Sequence, residues 1–409
     1  MSLIVSPRSI EEVCEIMKLA TSEGWTVVPA GGMTWLDAGQ SLSSVNLILS
    51  TQRLTRIIEH EPADLVAITE SGVTLKSFNE TLGIKGQWLP IDPPDDIKRV
   101  HSTIGGVVAT GLGGAQQFGY GAPRRHVIGM KIVRADGSII KVGGRVVKNV
   151  AGYDLCKLFT GSYGTLGVIV EVNFKLRPVP FRTRTVMAWG RRENLLASAL
   201  QIIKTGLFPV AVELLSPALA SQAELSEAGD HFLLTRFAGS PNSVDQQVAR
   251  AMEQLARDGA RAPGCFAEDD NAIWRALAAL PFQFTADVVW RVGLQPNDTG
   301  SFLELVTRTQ PAELLWHAGV GDGRIRVVER RQSADNDSEE LQTEMIERIR
   351  KLRARAESLG GSLIIEHAPA SIKNLVNPWG TFGSAGGIMQ RVKQHLDPDG
   401  ILSPGRFGF

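Results

Sequence analysis

Cysteine is scarce in this chain and so placed that it excludes several chemistries. The 409 residues contain three, Cys14, Cys156 and Cys265, far apart and without Cys-x-x-Cys spacing. That leaves no disulfide framework, no cysteine metal site and no cradle for an iron–sulfur cluster. It suits a reducing compartment, so the expected location is the cytoplasm. Excess charge of either sign is lacking as well: Lys plus Arg and Asp plus Glu both number 43. No electrostatic footprint therefore marks nucleic acid or an anionic lipid surface as a partner. No apolar run approaches the ~18 residues a membrane span requires, and any membrane association is expected to run through partners. The opening MSLIVSPRSIEEV has no basic segment ahead of a long apolar one. Compact nucleotide fingerprints are missing too. No G-x-x-x-x-G-K-[ST] occurs, and the nearest approach to G-x-G-x-x-G, through Gly111 and Gly113, ends on Gln116. No internal repeat or low-complexity tract is visible.

What the chain does have is glycine in three loops of its first half. They are PAGGMTW at 29–35, TIGGVVATGLGG at 103–114, and GSYGTLGVI at 161–169, the last closing the longer unit VVKNVAGYDLCKLFTGSYGTLGVI at 146–169. Glycine tolerates positive φ and removes the Cβ that would hold a ligand away from the backbone. One such loop is more often an ordinary turn or bulge. Three of them beside strand-like runs point to distant loops converging through their N–H groups on one long, phosphorylated ligand.

A chain of this length exceeds what one hydrophobic core supports, so two domains, or one with a large insertion, are expected. In the first 180 residues short strands alternate with helices. Ser9 and Glu12 form a capping box for a helix with Ile10, Val13, Met17 and Ala20 on one face, ended by Gly24. Strand-like runs follow at 26–30, 47–49, 65–69, 127–133 and 138–142, the last two joined by an Ala-Asp-Gly turn. Leu176-Arg-Pro-Val-Pro reads as a boundary. Beyond it helical patterns dominate at 194–204, 243–257 and 337–359, and DPDGILSPGRF at 397–407 reads as a turn, an apolar piece and a tight Pro-Gly-Arg element.

Taken in order, PAGGMTW, TIGGVVATG, KNVAGYDLCKLFTGSYGTLGVI and DPDGILSPGRF resemble the landmarks of the vanillyl-alcohol-oxidase-type (PCMH-type) FAD-binding family, and within it the E-type FAD-binding subunits of bacterial glycolate oxidase complexes. The resemblance covers about residues 5–180 and 397–407. The hydroxy-acid dehydrogenases of that group usually carry GSEGTLG; here Tyr163 stands where that glutamate would be. The resemblance implies an α+β fold: a two-subdomain FAD-binding domain at 1–180, an α/β cap for substrate or partner at 181–365, and a C-terminal segment at 366–409 returning to the flavin. It also implies that Gly31, Gly32, Met33 and Thr34 cradle the FAD pyrophosphate, with Thr103, Ile104, Gly105, Gly106, Thr110 and Gly111 on the second side of the cofactor. Gly164, Gly167 and Ile169 would lie by the adenosine half, Lys148, Asn149 and Tyr153 toward the isoalloxazine, and Arg406 in the closing turn. Relatives that hold FAD covalently use a histidine in the first loop. Met33 and Thr34 stand there in this chain, so non-covalent FAD is expected. A bulky residue at Gly105 is expected to abolish FAD binding with the fold intact.

The implied activity is oxidation of glycolate or a related small 2-hydroxy acid to the 2-oxo acid. Electrons would pass to an iron–sulfur subunit and a quinone, beside a paralogous FAD-binding subunit that carries much of the chemistry. The alternative is a scaffold or electron-transfer subunit without turnover of its own. Hydride removal from a 2-hydroxy acid needs a base for the hydroxyl proton and a cation or metal for the carboxylate. The candidates for catalysis are Lys148, His317 and His367. Relatives supply histidines in an HAGDGNxH-like strand. Here HAGVGDGRIR keeps His317 and Asp322 and puts Arg326 about where the second histidine would fall. His317, Glu366 and His367 form an incomplete set for a divalent ion, and no metal is expected. An isolated histidine is more often a hydrogen-bonded structural residue than a catalyst, and Arg324 and Arg326 on one strand face more often meet solvent than a carboxylate.

Overall fold

The computed structural model describes residues 2–409 except 43, 96–101, 145–152, 224, 226–229, 266–270, 283–287, 310–313 and 330–338. By its internal contacts the chain forms two compact units, one of residues 1–113, 121–179 and 381–409, the other of 114–120 and 180–380.

The first unit begins with the expected amphipathic helix, Ile10–Ser22, whose start is set by side chains: Glu12 N–H donates to Ser9 Oγ at 3.2 Å and Arg8 N–H to the Glu12 carboxylate at 2.7 Å. Ile10, Val13, Met17 and Ala20 are its buried face. The helix packs with a parallel three-stranded sheet ordered Leu3–Val5, Leu47–Ser50, Val27–Ala30. A second, antiparallel sheet runs Ile57–Glu61, Val66–Glu70, Val168–Lys175, Val127–Val133, Ile139–Gly143. Its core, with Phe78, Ile104, Val107, Phe159 and Phe174, is separate from that of the small sheet.

The chain's end returns to this unit. After the helix Ala385–Leu396, the Asp397 carboxylate accepts the amides of Ile401 at 3.1 Å and Leu402 at 2.9 Å. Lys393 pairs with Asp397 and donates to the carbonyls of Thr165 at 2.9 Å and Leu402 at 2.7 Å. Leu402 then bridges Val27 in parallel, with Val27 N–H on Ile401 O and Ser403 N–H on Val27 O, both at 2.8 Å. The turn read from DPDGILSPGRF thus extends the small sheet.

The second unit is built on one eight-stranded sheet in which every pairing is antiparallel. Its spatial order is Arg261–Cys265, Arg182–Gly190, His231–Gly239, Ala211–Leu215, Leu315–Gly319, Arg324–Glu329, Val288–Gly293, Ser362–His367. This order is a palindrome. Each half is strand, helix, strand, strand, helix, strand with chain order 4-1-3-2, the first half adding the short helix Pro217–Gln222 between its second and third strands, and the two halves join through their second strands, Leu214 opposite Ala318. The unit is therefore an internal duplication of a split βαβ motif. It escaped sequence inspection because equivalent strands share a pattern of buried positions and few residues. The start of the C-terminal segment, read from the sequence at 366, falls inside Ser362–His367, the last strand of this sheet.

Burial in the second unit leaves one titration to measure. His231 packs against Trp316 with ring centroids 5.5 Å apart; desolvation, reinforced by the Arg192 charge, pushes its pKa down to about 4. The unfolded chain protonates an ordinary histidine near pH 6.5, so the folded state loses stability as pH falls from about 6.5 toward 4. We expect thermal melts to show this slope and His231→Phe to flatten it; an unchanged slope would assign the loss to other groups.

Candidate functional site

The three glycine loops come together in the first unit. A cleft of about 820 Å³, its open mouth included, is lined by Gly31, Gly32, Met33 and Thr34 of the first loop, Thr103, Gly105, Gly106 and Thr110 of the second, Gly164, Gly167 and Ile169 of the third, and Arg406. Tyr163, Trp35, Thr51, Ser102 and the Pro93-Pro94 pair also line it. Of the sequence-selected residues, two face elsewhere. Ile104 is fully buried in the core of the larger sheet. Gly111 ends the Ile104–Thr110 helix at φ 64°, packed against Gly161. Lys148 and Asn149 lie outside the described residues, and Tyr153 is 95% exposed.

The backbone of the first loop is the part suited to a phosphate. The amides of Gly31, Gly32, Met33 and Thr34 donate to none of the described residues, and Met33 adopts φ 60°. Consecutive unengaged N–H groups with a left-handed residue among them make an anion-binding concavity. The cleft residues therefore fit a pyrophosphate-bearing cofactor. Arg406 adds a buried guanidinium that donates to Ala38 O, and burial holds its pKa below the usual arginine value against the pull of Asp37 and Tyr163.

The glycines have a second reason to be there. A Cβ on Gly31 would overlap Thr103 Oγ1, and one on Gly105 would come within 2.7 Å of Ser71 Cβ. Close approach here is of loop to loop as well as of loop to ligand. The expectation that a bulky residue at Gly105 spares the fold is thereby corrected: Gly105→Leu should lower the melting temperature of the cofactor-free chain and abolish flavin retention together. A variant that melts like the parent would overturn this.

In the second unit His317 and His367 are not brought together. They lie on strands separated by two others, about 14 Å at the usual ~4.8 Å strand spacing. His317 is instead part of a buried row of charge. Its Nδ1 lies 2.8 Å from Glu213 Oε2, and Arg324 donates to Glu213 Oε1 at 3.2 Å. Asp322 accepts from Arg324 Nε at 3.3 Å and from Gln117 at 3.1 Å. Arg326 grips Glu366 bidentately, at 2.8 and 3.0 Å, and Arg291 reaches the same carboxylate at 3.1 Å. Burial alone would raise the pKa of both carboxylates. The opposing pull of His317, Arg324 and Arg326 on Glu213, and of Arg326, Arg291 and His317 on Glu366, holds both below the ordinary carboxylate range.

Glu366 is thus occupied by guanidinium groups, and among the described residues no three His, Cys, Asp or Glu side chains assemble in metal-holding geometry. The sequence reading expected Arg324 and Arg326 to share a solvated face; both are buried in this row. It passed over Glu213 and Arg291. Each is the one charge in an otherwise apolar strand, AVELL and VVWRVG, and that isolation was the available signal.

Register shows that the fold itself does not call for these charges. Arg326 lies opposite His317 on one side and Arg291 on the other; in the first repeat the matching positions are Leu234, opposite Glu213 and Met187. Arg324, opposite Gly319, corresponds to Phe232, opposite Leu215. Removing one member of such a buried pair strands its partner, at about 3–5 kcal/mol, whereas an apolar pair of similar volume is often neutral. Arg326→Met should therefore destabilise the chain by that amount in denaturant titrations, and Arg326→Met with Glu366→Leu should recover most of it; a double variant no more stable than the single one would contradict this.

Comparison with known proteins agrees with both units. Residues 1–143 match the FAD binding domain and residues 314–407 the C-terminal domain of FAD linked oxidases. With these two domains the chain is an FAD-dependent oxidoreductase, with FAD as its cofactor. It is 27% identical to the probable mitochondrial D-lactate dehydrogenase of Danio rerio, over 99% of this chain and 84% of that protein. It is 26% identical to the D-2-hydroxyglutarate dehydrogenase of Xanthomonas citri pv. viticola and to the glycolate oxidase subunit GlcD of Bacillus subtilis, each over 98% of this chain and 88% of the relative. Lactate, 2-hydroxyglutarate and glycolate, which give these three relatives their names, are all 2-hydroxy acids. The fold is shared with p-cresol methylhydroxylase at TM-score 0.74 and 15% identity, over 99% of this chain and 88% of that one. No helix among the described residues is long and apolar enough to cross a membrane.

Proposed function

We propose that this chain oxidises a small 2-hydroxy acid such as glycolate to the 2-oxo acid, as the FAD-binding subunit of a glycolate oxidase-like complex. The observation that carries the substrate side is the set of three arginines in the buried row of charge, Arg291, Arg324 and Arg326, all on strands of the second repeat, where the first repeat has Met187, Phe232 and Leu234. Desolvated guanidinium groups at positions where the other repeat has apolar side chains fit recognition of a carboxylate. Within that row His317 is the candidate to accept the hydroxyl proton. His367 and Lys148 stay candidates for contact with substrate and cofactor.

The cofactor side rests on the cleft. Gly31, Gly32, Met33 and Thr34 would bind the FAD pyrophosphate through their amides. Thr103, Gly105, Gly106, Thr110, Gly164, Gly167, Ile169, Arg406 and Asn149 would complete the site, and Ile104 and Gly111 would support the second loop from behind. Bound FAD supplies the two-electron acceptor for the hydride. Met33 and Thr34 offer no histidine for a covalent link, so the flavin is held non-covalently. Cys14, Cys156 and Cys265 cannot ligate a cluster, and electrons would leave through an iron–sulfur subunit, beside a paralogous FAD-binding catalytic subunit. The complex would be cytoplasmic, touching a membrane through those partners.

A second reading, an electron-transfer or scaffold subunit without turnover, draws on the engagement of Glu366 by Arg326 and Arg291, which leaves that carboxylate closed to other ligands. An anaerobic spectrum of the purified chain separates the two. We expect flavin absorbance that acid precipitation releases and that glycolate, D-lactate or D-2-hydroxyglutarate bleaches, with Arg291→Met raising KM at least tenfold. Flavin bleached by none of them, with and without the partner subunits, would favour the second reading.

A further inference from the structure

We infer that Glu213 is the positioning residue that makes His317 a proton acceptor, a carboxylate–imidazole dyad built on the seam of the duplicated sheet. This rests on the 2-hydroxy acid reading above and adds a residue to it.

The two side chains come from the strands that join the repeats. Glu213 lies opposite Gly319 and His317 opposite Leu215, so with Leu214 facing Ala318 they occupy equivalent positions of the two halves and meet diagonally across the seam. Both are almost wholly buried, with side-chain exposures of 1% and 4%. Glu213 is ionised and acceptor-only: Arg324 takes one oxygen, and the other can only receive the N–H of His317 Nδ1. That hydrogen bond places a ring proton on Nδ1 and leaves Nε2 as the nitrogen that can take up the substrate's proton. His317 Nε2 is itself buried and has no hydrogen-bond partner among the described residues. A buried, unsatisfied acceptor is costly in a fold. It is also the state a general base needs, with its orienting group on the far nitrogen.

The charges facing the pair strengthen the assignment. Arg324 and Arg326 flank His317, and Asp322 and Glu366 each balance one of them. Around the ring the row carries equal numbers of arginines and carboxylates, Arg291, Arg324 and Arg326 against Glu213, Asp322 and Glu366. In the reaction the hydroxyl O–H bond breaks and its proton bonds to Nε2. The O–H electron pair forms the product C=O as the C–H hydrogen departs as hydride, its two electrons going to the flavin. Glu213 then lies against an imidazolium and stabilises it.

The test combines a readout that needs no substrate with one that does. In ¹⁵N-histidine spectra of the flavin-loaded chain, with His317 assigned through His317→Gln, we expect a protonated Nδ1 and a bare Nε2 at neutral pH. Glu213→Gln, whose amide oxygen still accepts from Nδ1, should keep that tautomer, and Glu213→Met should lose it. With substrate, Glu213→Met should lower kcat by about a hundredfold or more with KM little changed, and Glu213→Gln should retain more of it. A parental Nε2 that carries the proton overturns the proposal even if the Met variant fails to fold, as does a folded Met variant with parental kcat. A correct tautomer in a chain whose flavin no 2-hydroxy acid reduces would overturn the substrate reading and leave the Glu213–His317 pair standing.

Discussion

Two carboxylates with no access to water, Glu213 and Glu366, constrain the second unit more than any apolar contact does. Burying a carboxylate costs several kcal/mol unless cations and hydrogen-bond donors meet it. Each is met by groups on neighbouring strands, so the demand ties strand register to side-chain chemistry. A slip of one residue would turn Arg324, Arg326 and His317 to the opposite face of the sheet and strand both charges. The row of charge therefore pins the pairing of the second repeat as firmly as the tryptophans and valines behind it.

The duplication turns that constraint into information about function. One topology is written twice, and the halves differ in what they carry on one sheet face. Met187, Phe232 and Leu234 in the first repeat, with Trp274 and Leu277 of the neighbouring helix, form an ordinary core. The corresponding arginines in the second form a balanced electrostatic network. The first repeat carries no arginine at these three positions, so strand pairing does not itself require them, which fits their proposed role in recognising a carboxylate.

In the first unit the governing feature is contact between loops rather than electrostatics. Gly31 against Thr103, Gly105 against Ser71 and Gly164 against Pro29 bring three loops within van der Waals reach. The C-terminal strap holds them there through Asp397, Lys393 and the bridge of Leu402 to Val27. What the loops leave open is a row of unengaged amides in the first of them. Glycine does two jobs in this cleft, and only some positions face a ligand.

Much of this was legible in the chain itself. The helix at Ile10–Ser22, the strands around 27–30, 47–50 and 127–133 and the convergence of the glycine loops followed from capping, alternation and turn chemistry, all of which act over a few residues. The family followed from four segments in a fixed order. The duplication was hidden, because strand order leaves no mark on residue identity. Glu213 lies 104 residues from His317, and Glu366 40 residues from Arg326. No spacing rule connects them, since antiparallel register alone makes them neighbours. Local sequence determined the elements and the loops that suit a pyrophosphate; only the tertiary structure decided which charges share a dry space and which nitrogen of His317 is left to react, because desolvation and pairing depend on what the folded chain brings opposite each group.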